Sequence, residues 1–222
     1  MVSAMSTNAP AHPIRLHRFV RSGHSHRVQL FLSLLGIPVE LVDVALDRGA
    51  HRSPGFLALN RFGQVPVIED GEVTLADSNA ILVYLAGRHD PAGQWLPRDP
   101  VGAARVQVWL SVAAGPLAAG PAAARRAVVF GGAIDPRAVA EADRLLALID
   151  GVLASSRFLV GDRPTIADLA IYTYAAHAPE GGVSLERHEH VRAWLARIEA
   201  LEGFVPMAPS PIPRTGGGDV SG

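Results

Sequence analysis

The chain contains no cysteine. That removes disulfides, thiolate metal ligands and a cysteine nucleophile together, so any thiol chemistry must use sulfur supplied by another molecule. An excess of one charge is also lacking. The 20 basic and 21 acidic side chains leave a formal net charge of −1 at pH 7, and no basic field exists to hold a nucleic-acid backbone. Long apolar runs are missing as well: no stretch approaches the roughly 18 apolar residues of a membrane span. The opening MVSAMSTNAPAHP has no apolar core of the kind a secretory signal carries. The expectation is a cytoplasmic protein with neither nucleic acid nor membrane as a partner.

What is present divides the 222 residues in two. Residues 1–12 and the Pro/Gly-rich segment 209–222 read as flexible tails. Between them, 13–89 shows a strand at Ile14–His17 and an amphipathic helix over Ser25–Leu35 closed by Gly36. A strand in IPVELVDVAL follows, then a hairpin QVPVIED/EVTLAD turning at Asp70-Gly71, and a helix SNAILVYLAGRH. That order predicts a small α/β sandwich with a mixed sheet. The proline-rich HDPAGQWLPRDP places a linker at 90–99. From residue 100 to 208 the β-alternation disappears, alanine, leucine and arginine rise, and successive helical patterns predict an all-α unit.

Polar groups concentrate at three places. The stretch RSGHSHRVQL puts two serines and two histidines at a helix mouth, where unpaired N–H groups and the helix dipole attract an anion. Either Ser22 or Ser25 caps this helix, or a hydroxyl there donates to a bound thiolate, with Gly23 letting the backbone turn. The i, i+2 spacing of His24 and His26, and of His188 and His190, keeps each pair off a shared helix face and argues against metal binding. At the second place, Pro66 opens a strand interior, so it marks an edge strand or a cis Val65–Pro66 bond that turns the backbone of Val65 outward for a peptide to pair with. At the third, Asp77 and Ser78 begin a helix, as caps or as partners for the ammonium and carboxylate of an amino acid. Thr165 and Asp168 have the spacing of a structural capping box. Trp109, Tyr172, Tyr174 and Trp194 fall at helical positions expected to be core or interface.

The stretches SGHSHRVQLFLSLLGIPVE, FLALNRFGQVPVIEDG, LADSNAILVYLA, FLVGDRPTIADLAIYTYAAHAPEGG and VRAWLARIEALEGF together resemble the soluble glutathione S-transferases, particularly their bacterial serine-type members. The resemblance implies a thioredoxin-like glutathione-binding domain followed by an all-helical domain that receives an electrophile. SGHS stands where thioredoxin-like relatives have Cys-x-x-Cys, which makes Ser22 the implied catalytic residue. Gln64, Val65 before cis-Pro66, Asp77 and Ser78 become implied glutathione-binding residues, with His51 near the glycyl carboxylate. Arg61 departs from the proline common after this asparagine, and the polar HSH leaves Ser25 as an alternative hydroxyl.

The implied reaction is attack by activated glutathione on an electrophilic small molecule. Glutathione is then a co-substrate, with no cofactor, no metal and a possible peroxidase side activity. The alternative is a glutathione- or ligand-binding protein without turnover on the same scaffold. A homodimer is expected, since AILVYLA and RVQVWLSVAAG are apolar on more than one side.

Overall fold

A computed structural model describes residues 12–210. The two expected tails lie outside these residues except at His12, Pro209 and Ser210. The first half runs β1 (Ile14–Arg18), α1 (Gly23–Leu34), β2 (Val39–Asp43), two 3-10 turns, α2 (Pro54–Leu59), β3 (Val67–Asp70), β4 (Val73–Ala76) and α3 (Ser78–His89). The sheet order is β2-β1-β3-β4. β1 pairs β2 in parallel, with Leu16 opposite Leu41, while β1–β3 and β3–β4 are antiparallel. This is the mixed sheet expected of a thioredoxin-like domain.

Alternation along the strands puts helices on both faces. Ile14, Leu16 and Ile68 are fully buried in one core with Val28, Phe31 and Leu32 of α1 and Ile81, Leu82 and Leu85 of α3. Val67 on the opposite face forms a smaller cluster with Val44 and Phe56 of α2. The hairpin pairs Asp70 with Val73, so its two loop residues are Gly71 and Glu72, one position later than expected. Gly71 has φ +59°, a conformation that favours glycine at this turn.

Residues 90–99 contain no helix or strand. The second half then comprises α4 (Pro100–Ala114), α5 (Pro116–Ala119), α6 (Pro121–Val129), α7 (Pro136–Leu153), α8 (Ile166–Ala176) and α9 (Glu189–Glu199). Proline opens each helix from α4 to α7, where its missing N–H costs no intrahelical bond. The short α5 and α6 escape a periodicity reading because two prolines within six residues cut what would otherwise continue α4. The ten residues from Ile166 to Ala175 of α8 are all buried, so α8 is the axis of this half.

Thr165 and Asp168 start α8 with a complete capping box. Asp168 Oδ2 accepts from Thr165 N at 2.8 Å, while Oδ1 accepts from Leu159 N and Trp194 Nε1 at 2.9 Å each. One carboxylate therefore ties α8, α9 and the preceding loop together. Trp109, Tyr172, Tyr174 and Trp194 are all buried. The two halves share one continuous core: Phe31 of α1 meets Trp95 edge-on at 5.2 Å, and α1 packs along α8. Among the described residues no single helix is long and apolar enough to cross a membrane.

Candidate active site

The chain leaves β1, turns at residues 20–21 and enters α1 with Ser22 as N-cap, its φ and ψ (−84°, 117°) extended. Ser22 Oγ accepts from Ser25 N at 3.2 Å, which leaves the hydroxyl proton free to donate. Capping thus falls on Ser22. Ser25 is 1% exposed, its Oγ accepts from Phe19 N at 3.4 Å, and it does not line the cleft described next. Gly23 has no left-handed backbone and does not serve the turn. It is needed for its size, because a Cβ there would lie 2.6 Å from Cζ of Tyr174.

A cleft of about 300 Å³ opens at this helix start. Ser22, His51, Gln64 and Val65 all line it, from three separate segments of the first half. The Val65–Pro66 bond is cis. Among the described residues the N–H and C=O of Val65 have no hydrogen-bond partner, so both are available to a ligand. His51 contributes a ring whose buried Nδ1 has no partner.

Asp77 and Ser78 are not in the cleft lining. Asp77 is the N-cap of α3, and its Oδ1 accepts from Asn79 N and Ala80 N at 2.9 Å each. Among the described residues it is the one non-glycine with positive φ (71°), a backbone state that costs on the order of 1–3 kcal/mol and persists where the surroundings hold it. Ser78 is buried and its hydroxyl points inward, accepting from Arg27 Nη1 at 3.1 Å and lying 3.3 Å from His24 Nδ1. His24, which does line the cleft, is the link between Ser78 and the other site residues.

Several residues of the site carry no sequence motif. Tyr174 of α8 reaches the cleft under Gly23 and meets the His24 ring edge-on at 5.0 Å, so it belongs to both the core and the site. Burial raises the Tyr174 hydroxyl pKa against the pull of Arg27, Arg125 and Arg126, and the phenol stays protonated. Burial, then the Arg27 and Arg126 charges, hold the His24 pKa down to about 3, so this ring is neutral at pH 7. Arg27 is buried beside both. Desolvation lowers its pKa to about 10, and it remains charged with Nη1 bonded to Ser78 and to Asn79 Oδ1 at 2.8 Å.

Arg125 of α6, 2% exposed, joins the halves. Its Nε donates to Glu180 Oε2 at 2.6 Å, Nη1 to the Arg21 carbonyl at 2.7 Å and Nη2 to Ser210 Oγ at 3.1 Å. Glu180 Oε1 accepts from Ser210 N at 3.0 Å. The residue immediately before Ser22 is therefore held from the helical half. The 3-10 turn carrying Glu180 fits against α6 because Gly181 has no side chain: a Cβ would come within 2.8 Å of Arg125 N. The other histidine of HSH points elsewhere. His26 Nε2 lies 2.8 Å from the Val205 carbonyl and Nδ1 3.0 Å from Thr173 Oγ1. A carbonyl only accepts, so the proton sits on Nε2 and Thr173 donates to Nδ1.

A thioredoxin-like domain whose first helix opens into a cleft, walled on its far side by an all-α domain, defines a two-domain protein with its candidate site between the halves. Comparison with known proteins agrees. Residues 12–87 match the glutathione S-transferase N-terminal domain and residues 133–202 the C-terminal domain. Glutathione S-transferase 3 of Zea mays is 34% identical over 217 residues, covering 90% of this chain and 97% of that protein. Human glutathione S-transferase theta-2 is 32% identical over 189 residues, covering 81% and 78%. Among solved structures, the glutathione S-transferase of Pseudomonas fluorescens superposes with TM-score 0.82 at 30% identity, over 88% of this chain and 99% of that one. A possible glutathione S-transferase of Rhodopseudomonas palustris gives 0.83 at 32%, over 90% and 100%. The chain belongs to the glutathione S-transferase family.

Proposed function

We propose that this glutathione S-transferase is of the serine type, with Ser22 donating a hydrogen bond to the sulfur of glutathione as the thiolate attacks an electrophilic carbon. The observation that carries the reading is Ser22 itself: it caps α1, lines the cleft and keeps its hydroxyl proton uncommitted. A free thiol has a pKa of about 8.5. A hydroxyl donor at a helix N-terminus, with arginines nearby, favours the thiolate, and each pKa unit of lowering corresponds to about 1.4 kcal/mol. The thiol proton leaves to solvent, and glutathione is consumed as co-substrate.

The tripeptide is assigned along the first half. Val65 pairs with the cysteinyl backbone through its free N–H and C=O, Gln64 flanks it, and the His51 ring, which lines the cleft, takes the glycyl carboxylate. Asp77 takes the γ-glutamyl ammonium. Ser78 contributes its backbone N–H to the γ-glutamyl carboxylate, since its hydroxyl is turned to Arg27 and His24. Residues 13–89 form the glutathione-binding domain, 90–99 the linker and 100–208 the electrophile-binding domain. The protein is proposed to act in the cytosol as a homodimer, a reading supported by exposed Val83 on α3 and Val101 and Val108 on α4.

The Ser22–Ser25 bond also supports a second reading, in which Ser22 only caps the helix and the protein binds glutathione without turnover. Calorimetric glutathione binding, run beside turnover on a panel of electrophiles and a peroxide, separates the two. Binding together with conjugation supports the transferase, whereas binding with no product from any acceptor leaves only the carrier.

A further inference from the structure

The chain has no lysine, so every fixed side-chain cation is an arginine. Three of them, Arg21, Arg125 and Arg126, line the cleft, and among the described residues no aspartate or glutamate does. Arg125 is already neutralised by Glu180. Among the described residues neither Arg21 nor Arg126 has a carboxylate within ion-pair distance. Arg21 lies over the Phe19 ring, 5.6 Å from its centroid. Arg126 is exposed on the face of α6 that also turns Ala122 and Val129 to the cleft. Its charge reaches inward, since it helps to lower the pKa of both His24 and Tyr174.

Beside these charges is a stacked aromatic pair. Phe130, 55% exposed just after α6, stacks on Phe19 of the first half with centroids 6.0 Å apart and planes 17° from parallel. Both rings line the cleft. On its outer side Arg126 borders a separate cleft of about 690 Å³ that includes Asp135 and Glu141. Neither acid is within ion-pair distance of it: Asp135 caps α7 by accepting from Arg137 N, and Glu141 pairs with Arg144.

We infer that the electrophile taken by this cleft is an aromatic compound bearing a negative charge, its ring packed on the exposed Phe130 and its carboxylate or sulfonate paired with Arg126. The inference rests on the transferase reading above, in which the glutathione carboxylates go to His51 and to the start of α3 and leave Arg126 for the second substrate. A guanidinium with no carboxylate partner among the described residues, at the rim of a desolvating aromatic surface, suits an oxyanion better than a neutral group.

The test compares 4-phenyl-3-buten-2-one with its para-carboxylate. In each reaction the glutathione thiolate adds to the β-carbon, one C–S bond forms, the enolate takes a proton from water and nothing leaves. The ratio of kcat/KM for the charged over the neutral enone, each divided by its uncatalysed rate, is measured in the parent, Arg126→Gln and Arg126→Lys. Binding of the two saturated ketones, which cannot react, is measured in parallel by calorimetry. The expected result is a parent preference for the carboxylate in both readouts that falls about tenfold in Arg126→Gln and largely survives in Arg126→Lys. A ratio unchanged by Arg126→Gln, or a parent with no preference, overturns the inference. So does a KM for glutathione that rises equally with both acceptors, because Arg126 would then hold the tripeptide. If neither enone is turned over but the saturated carboxylate is still preferred through Arg126, the charge reading stands and the transferase reading fails.

Discussion

The two walls of the cleft are made differently. The wall from the first half presents groups at the ends of regular elements, the Ser22 cap and the free backbone of Val65, flanked by the rings of His24, His51 and Phe19. The wall from the second half presents side chains chiefly from one nine-residue helix, α6, with the Phe130 ring that follows it and Tyr174 of α8 beneath. Backbone groups at strand and helix ends are placed by the fold, and no single substitution alters them without altering the element. The side chains of α6 can be exchanged one at a time. A constant peptide matched to the first wall and a variable acceptor matched to the second is the division this construction allows, and Arg125 is where the second wall fixes the first.

Arg125→Ala should therefore have the largest effect. It leaves Glu180 buried without its cation and the Arg21 carbonyl without its donor, a loss of about 3–5 kcal/mol in urea unfolding. A cost under about 1 kcal/mol would show that the walls are not coupled through this residue. Next comes Ser22→Ala, which tests the first wall alone. Turnover at saturating glutathione should fall on the order of 10²-fold, with glutathione affinity nearly kept. Equal rates in variant and parent would reduce Ser22 to a cap.

A third prediction concerns the seam beneath both walls. Burial, with smaller contributions from His177, Arg125 and Arg27, holds the His26 pKa down to about 4, although its bond to the Val205 carbonyl works in the other direction. The unfolded chain takes this proton near pH 6.5 and the native state only near 4, so stability falls as the pH drops through that interval. The slope is up to about 1.4 kcal/mol per pH unit for this one group. His26→Gln, which can still donate to Val205, should flatten the acid side of a melting-temperature profile; an unchanged profile would mean that other groups set it. The smallest effect is expected of Asp77→Ala. Loss of the α3 cap should cost roughly 1 kcal/mol in melting experiments, and glutathione should bind more weakly with saturated turnover little changed. Unchanged affinity would remove Asp77 from recognition.

The first wall was legible in the sequence because its signals are local. A serine before a helical run and a proline opening a strand are each read within a few residues, and so, outside the cleft lining, are the Asp77 cap and the Thr165–Asp168 box. Assigning the α1 cap between Ser22 and Ser25 was not possible this way, since both types cap equally well. The choice depends on where β1 releases the chain, and the turn at residues 20–21 settles it for Ser22. Gly23 looked like a turn residue because the Tyr174 ring that requires its smallness lies 151 positions further on. The second wall had no local signal. PAAARRAVVF is an alanine-rich stretch whose two arginines look alike, yet Arg125 is buried on Glu180, 55 residues away, and Arg126 is exposed at the cleft. Only the packing of α6 against the Ala178–Gly181 turn separates them.

If Ser22 holds the sulfur of glutathione as proposed, the pKa of the bound thiol reads it directly. Ultraviolet difference titration of thiolate in the protein–glutathione complex should give a value well below the roughly 8.5 of a free thiol in the parent, returning toward it in Ser22→Ala. The same depressed pKa in both proteins would contradict the account, because the thiolate would then be stabilised by the helix start and the arginines without the serine.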